Sequence, residues 1–125
     1  MIMIENNKLI DKNSKIYVAG HKGMVGSAII RNLKKHGFNN LLTVERKLLN
    51  LENREEVFAW IKKFKPEIVI IAAARVGGIY ANNNYPVDFI LSNLKIQNNL
   101  IEGSFLNEVK RLLFLGSSCI YPKLC

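Results

Sequence analysis

The chain has 125 residues, 49% of them apolar and 22% charged, with a formal net charge of +8; this is the size and balance of one folded domain with one core. No apolar run approaches the roughly 18 residues of a membrane span, and the opening MIMIENNKLIDKNSK turns polar too early for a secretory segment, so a cytoplasmic protein with no membrane partner is expected. The cations, among them Lys34, Lys35, Lys62, Lys63, Lys65, Lys110 and Arg111, are scattered without an aromatic-interleaved basic block, which argues against nucleic acid and leaves a smaller anion such as a nucleotide phosphate.

Residues 1–14 are rich in asparagine and aspartate, show no period and read as an N-terminal extension. The folded part, residues 15–125, starts with KIYVAG, a short apolar run ending in glycine. From Met24 the apolar positions Val25, Ala28, Ile29 and Leu33 recur at helical spacing until Gly37, a natural C-terminal cap. LLTVE (41–45) reads as a second strand. Asn53, three residues ahead of Glu56, has the spacing of a helix N-cap, and Val57, Trp60, Ile61 and Phe64 share one face of the helix before Pro66. EIVIIAAA (67–74) is continuously apolar, as a strand covered on both faces of a parallel sheet would be. A loop, RVGGIYANNNY, leads to Pro86 at the start of a long helix whose apolar positions Phe89, Ile90, Ile96, Leu100, Ile101 and Phe105 follow a 3.6 period. RLLFLG is then a fourth buried strand. The alternation predicts an α/β fold, a Rossmann-like doubly wound parallel sheet. Such a sheet usually continues through two more strands, so residues 15–125 are expected to be the N-terminal part of a dinucleotide-binding domain truncated after its fourth strand, with one sheet edge left open.

The loop between the first strand and helix, GHKGMVGS, spaces its glycines as Gly20-x-x-Gly23-x-x-Gly26. In such a loop the first glycine permits the tight turn, the second lets backbone approach a pyrophosphate, and the third lets helix and strand pack closely. The helix N-terminus beyond offers unpaired N–H groups to phosphates. Gly20, His21, Lys22, Gly23, Met24, Val25 and Gly26 are therefore the first cofactor-binding candidates. At the end of the second strand Glu45 and Arg46 are neighbours, and they point opposite ways: a carboxylate would bond the ribose 2′-hydroxyl of NAD, and a guanidinium the 2′-phosphate of NADP. Lys22 adds a second cation, which tips the balance toward NADP.

The blocks VAGHKGMVGSAI, LLNL, AAARVGGIYANNNYPVDFI, NNLI and LLFLGSSCIYPK together resemble the GDP-L-fucose synthase family of the extended short-chain dehydrogenase/reductases, over about Lys15 to Leu124. The resemblance implies an NADP-dependent enzyme, homodimeric at full length, whose substrate is a GDP-sugar. It would epimerise C3 and C5 of GDP-4-dehydro-6-deoxy-D-mannose and reduce C4, giving GDP-L-fucose. It implies a pyrophosphate on Gly20 to Gly26, an adenosine 2′-phosphate near Lys22 and Arg46, and the cofactor's inner half near Ala72, Ala73, Ala74, Leu115, Gly116, Ser117 and Ser118. Lys22 stands where the family often has arginine, keeping the charge and losing the bidentate fork. Cys119 matches the family's epimerisation base, a task that needs an exposed sulfur and a lowered thiol pKa. Ser117 matches the serine that bonds the ketone oxygen, where charge develops during enolisation and hydride transfer. On the residues alone, Cys119 reads as a small buried hydrophobe, and Ser117 and Ser118 as strand-end groups satisfying backbone.

The superfamily's reductive step also uses a Tyr-x-x-x-Lys pair. Tyr17 is followed at the fourth position by His21, Tyr80 by Asn84, Tyr85 by Phe89 and Tyr121 by Cys125, so this chain alone is expected to be inactive. Cys119 and Cys125 fit neither a disulfide framework nor a zinc spacing, and no metal is expected. The alternatives are a non-catalytic NADP-binding module, another extended-reductase nucleotide-sugar epimerase, and a basic nucleic-acid-binding domain.

Overall fold

The structure, a computed structural model, describes residues 10–117 and 122. Four strands, β1 (Ile16–Ala19), β2 (Leu41–Leu42), β3 (Ile68–Ile71) and β4 (Arg111–Phe114), form one parallel sheet in the order β2-β1-β3-β4. The continuous apolar runs explain the two central strands, since every residue of β1 and β3 is buried and successive side chains enter opposite layers. Ile16, Val18, Ile68 and Ile70 face α1 (Met24–Lys35), packing with its Ile29, Ile30 and Leu33. Tyr17, Ala19, Val69 and Ile71 face the other layer, α2 (Arg54–Phe64) and α4 (Pro86–Leu106), where Val57, Ile61, Ile96 and Leu100 complete the core. Helices on both faces make the sheet doubly wound. At the end away from the strand exits, the Glu67 carboxylate accepts from the Lys15 N–H at 3.2 Å and from Lys110 Nζ at 2.6 Å, tying the starts of β1, β3 and β4 together.

Asn53 caps α2 as its spacing predicts: its side-chain oxygen accepts from the N–H groups of Glu55 and Glu56 at 3.1 and 3.3 Å. The Glu56 carboxylate returns to the Asn53 amide and the Asn50 N–H, both at 2.9 Å. Because an N-cap is worth about 1 kcal/mol, Asn53→Ala is expected to lower the urea midpoint by that much stability with an unchanged slope. Trp60 stacks between Tyr17 and Phe64 at ring centroid distances of 4.3 and 4.6 Å.

Four features depart from the sequence pattern. The second strand pairs with β1 only at Leu41 and Leu42; beyond Thr43 the chain leaves the ladder, and Val44 and Glu45 line the wall of a cleft. The loop after β3 contains a short helix, α3 (Ile79–Asn84), closed where the Asn84 amide donates to the Tyr80 carbonyl at 2.7 Å.

The long helix α4 splits its apolar residues between two faces. Phe89, Ile96 and Leu100 are buried, whereas Ile90, Ile101 and Phe105 are 58%, 42% and 81% exposed. Its buried side includes Ser92, Asn99, Gly103 and Ser104. The reason is close approach to α2, for a Cβ at Gly103 would lie 3.1 Å from both Phe58 Cδ1 and Ile61 Cδ1. The polar residues there have partners: Ser92 Oγ donates to Glu52 at 2.7 Å and the Asn99 amide to the Leu51 carbonyl at 2.9 Å.

β4 is not buried as its composition predicts. All four residues are exposed, because α4 seats itself on α2 and β3 and leaves both faces of this edge strand uncovered. Among the described residues no helix is long and apolar enough to cross a membrane.

Candidate functional site

The parallel strands all empty at one edge of the sheet. β1 connects to β2 on one side, and the chain then crosses back to β3 on the other, so the winding reverses at β1. Crevices outside the carboxyl ends of strands at such a reversal are where open α/β sheets bind ligands. A cleft of about 260 Å³ opens there, walled by Gly20–Gly23 after β1, Val44–Arg46 after β2 and Ala72–Arg75 after β3. Tyr17, Leu49–Glu52, Ser92 and Ile96 complete its lining. Burial pushes the Tyr17 phenol well above the usual tyrosine range, so it stays protonated.

The glycine turn is built by sterics. Gly20 has φ +84°, and a Cβ on it would lie 2.7 Å from the Ala72 carbonyl and Ala73 Cα; only glycine lets the exit of β1 run this close to the exit of β3. The Gly23 N–H donates to the Gly20 carbonyl at 3.0 Å, closing the turn. A Cβ on Gly26 would lie 2.1 Å from the Gly20 oxygen, so this glycine allows α1 to rest on the turn. α1 starts from Gly23 without a side-chain cap and without an acidic residue in its first turn, whereas α2 is capped by Asn53 and has Glu55 and Glu56 there. The first-turn N–H groups of α1 are thus left for an anion, and the glycine cradle suits a pyrophosphate.

The corner between the glycine turn and the end of β2 is ionic. Lys22 Nζ donates to Glu45 Oε1 at 2.5 Å, and this bond and charge hold the Glu45 carboxyl below the usual carboxylate range. Arg46 lies 3.8 Å from Glu52, which is itself seated by Ser92. On the opposite wall, Asn93 grips Arg75 by its backbone, accepting from its N–H at 2.7 Å and donating to its carbonyl at 3.0 Å. The Arg75 guanidinium sits 5.1 Å over the Phe89 ring.

Of the residues singled out in the sequence, Gly20, His21, Lys22, Gly23, Arg46, Ala72, Ala73 and Ala74 line this cleft. Met24, Val25 and Gly26 form the first turn of α1 behind it, with Met24 and Val25 exposed. Leu115, Gly116 and Ser117 leave β4 beside the exit of β3, where the Leu115 N–H donates to the Ile71 carbonyl at 3.2 Å, but they do not reach the cleft wall. Ser118 and Cys119 lie outside the described residues. Sequence reasoning missed Glu52, Ser92, Arg75 and Asn93. Their signal is the polar pair Ser92–Asn93 inside the apolar stretch FILSNLKI.

The family model described as NAD dependent epimerase/dehydratase matches residues 16–125. GDP-L-fucose synthase 1 of Arabidopsis thaliana is 53% identical over 119 residues, covering 95% of this chain and 37% of that protein. GDP-L-fucose synthase of Sinorhizobium fredii is 56% identical over 109 residues, covering 87% and 34% respectively. Among solved structures, the GDP-mannoheptose C4 reductase of Campylobacter jejuni with NADP bound is 48% identical with a TM-score of 0.87, over 93% of this chain and 37% of that one. A GDP-L-fucose synthetase of Naegleria fowleri bound to NADP is 25% identical with a TM-score of 0.78, over 93% of this chain and 34% of that one. The chain thus spans about a third of the length of the relatives it matches.

Proposed function

Since the chain belongs to the NAD dependent epimerase/dehydratase family, we propose that its cleft binds NADP and that its strand ends contribute part of a site acting on a GDP-bound 4-keto sugar. The substrate in this reading is GDP-4-dehydro-6-deoxy-D-mannose, epimerised at C3 and C5 and reduced at C4 to GDP-L-fucose. The observation that carries it is the glycine cradle opening on the uncapped start of α1, flanked by Lys22 and Arg46. Two relatives of known structure, 48% and 25% identical, carry NADP.

In this reading Gly20 to Gly26 and the α1 N–H groups hold the pyrophosphate, and Lys22 and Arg46 the adenosine 2′-phosphate. Ala72, Ala73, Ala74, Leu115, Gly116, Ser117 and Ser118 border the inner half of the dinucleotide. When bound, NADPH supplies hydride for the C4 ketone. Protons on C3 and C5 are acidic because the carbanion left behind delocalises onto the C4 oxygen. Cys119, as thiolate, takes such a proton and leaves an enolate that a separate acid on the opposite face reprotonates, and Ser117 donates a hydrogen bond to the C4 oxygen as charge grows there. The same proposal assigns residues 1–14 to an extension and 15–125 to the N-terminal part of the NADP-binding domain. It carries a cytoplasmic homodimer, with the exposed α4 stripe of Leu91, Leu94, Ile101 and Phe105 as the face to be covered.

A second reading has one observation in its favour: solved structures 48% identical to the chain act on GDP-heptoses. A 4-keto heptose would use the same ketone chemistry and differ only where the sugar's tail is held.

Titrating the chain with NADPH tests the cofactor assignment. A charge-assisted bond to phosphate is worth about 1.5 kcal/mol or more, so Arg46→Gln is expected to weaken NADPH about tenfold while leaving NADH nearly unchanged. No NADPH binding by the wild-type chain, or equal losses for both nucleotides, would count against the assignment.

A further inference from the structure

We propose that the Tyr17 hydroxyl is a binding group of the cleft: it donates a hydrogen bond to a ring nitrogen of the adenine base, which lies on an apolar floor beside the ends of β1 and β2. The inference rests on the reading of the cleft as a dinucleotide site and adds to it the group that seats the base.

Tyr17, the second residue of β1, is 1% exposed, and its ring stacks on Trp60 at a centroid distance of 4.3 Å. A phenylalanine would fill that place as well. The hydroxyl is an added cost, because taking such a group out of water without a compensating bond is unfavourable. Among the described residues it has no hydrogen-bond partner, and burial alone accounts for its raised pKa. It is nevertheless not sealed in. Among the described residues the buried side-chain atom with neither a partner nor access to solvent is Ser104 Oγ, on α4. The Tyr17 oxygen keeps a sliver of access, and the cavity that Tyr17 lines is the cleft. A buried donor without a partner in the chain, at the wall of a ligand cleft, is a donor left for the ligand.

The surroundings decide which part of the ligand it meets. Near Tyr17 the lining consists of Val44, Leu49, Leu51 and Ile96, apolar walls that suit a flat base and exclude a phosphate. Arg46, which with Lys22 is given the 2′-phosphate, stands between Val44 and Leu49 in the chain, and the base hangs from the ribose carbon next to the one bearing that phosphate. Other polar groups of the lining are already engaged. The Ser92 hydroxyl donates to Glu52 at 2.7 Å, and the Asn50 side-chain oxygen accepts from the Glu52 N–H at 3.1 Å. Adenine offers acceptors in its ring nitrogens, and the protonated phenol has a proton to give. One polar group on an apolar floor fixes how the base is turned, while the walls supply most of the affinity.

The test is titration of the wild type and Tyr17→Phe with NADPH and with adenosine 2′,5′-bisphosphate, which carries the base and the 2′-phosphate but no nicotinamide, alongside urea denaturation of both chains. Loss of one neutral hydrogen bond is expected to weaken both ligands about fivefold. The urea midpoint should stay or rise, since the substitution keeps the ring and removes an unpartnered hydroxyl; a merely structural role would lower it and leave the affinities alone. Unchanged affinity for both ligands overturns the role of Tyr17 and leaves the cleft assignment standing. A loss with NADPH but not with the bisphosphate sets the hydroxyl against the other half of the dinucleotide and overturns the adenine contact. A lowered midpoint reveals a partner within the chain and overturns it as well. If the wild type binds neither ligand, the cleft assignment falls and this inference with it.

Discussion

Gly26→Ala is expected to destabilise the chain by about 3 kcal/mol, the upper end of what overpacking costs, and to remove dinucleotide binding. The new Cβ would sit 2.1 Å from the Gly20 oxygen, 2.7 Å from the Gly20 carbonyl carbon and 3.0 Å from His21 Cα. All three are backbone atoms in a turn already fixed by the φ of +84° at Gly20 and by its contact with Ala72, so no side-chain rotation relieves the clash. Either α1 lifts from the sheet, parting Ile29, Ile30 and Leu33 from Ile16 and Val18, or the glycine turn moves out of its place over the cleft. The first costs stability and the second binding, which is why both should be measured, by urea denaturation and by NADPH titration. Gly78→Ala is the control, because its Cβ would meet nothing within 4 Å. A Gly26→Ala chain with the wild-type urea midpoint would show that the turn relaxes freely, and the steric account of this loop would then be wrong.

What was legible in the sequence and what was not divides along the range of the interactions. The strand-turn-helix of β1 and α1, the Asn53 cap and Pro86 at the start of α4 depend on residues within one turn of each other, and each stands where its local chemistry places it. The central position of β3 was legible because a strand covered on both faces needs an unbroken apolar run. β4 has much the same composition and is exposed. An apolar run shows that a strand can be covered, and says nothing of whether a neighbour is there to cover it. In the same way the cleft residues Gly20 to Gly23 and Ala72 to Ala74 were legible as strand ends, but the pairing of Lys22 with Glu45 was not. Counting two cations against one carboxylate favours phosphate. The geometry adds Glu52 and evens the count. Ser117 does stand at a strand exit, as its position after RLLFLG suggested, while the residue proposed as base, Cys119, lies outside the described residues.

The orientation of α4 decides whether this account of the site holds, and one substitution placed on each of its faces tests it. Leu100→Ala is expected to cost about 2–5 kcal/mol, since Leu100 is fully buried among Val57, Ile61 and Ile96 between α2 and the sheet. Against the roughly 5–15 kcal/mol that holds a typical domain together, that loss would leave much of the chain unfolded at modest urea concentrations. The effect should reach the cleft before global unfolding, because the same helix presents Ser92 to Glu52 and Asn93 to the Arg75 backbone. The identical change at Leu94, 41% exposed on the other face, is expected to stay within about 0.5 kcal/mol. The sequence by itself does not separate the two leucines, since α4 is apolar around much of its circumference and a 3.6 period can be drawn through either face. What separates them is Gly103 meeting Phe58 and Ile61, and Ser92 and Asn99 meeting Glu52 and Leu51. Were Leu94→Ala the more damaging substitution at a dilution where the chain is monomeric, α4 would have to be turned around, and Ser92 and Asn93 would no longer support the walls of the cleft.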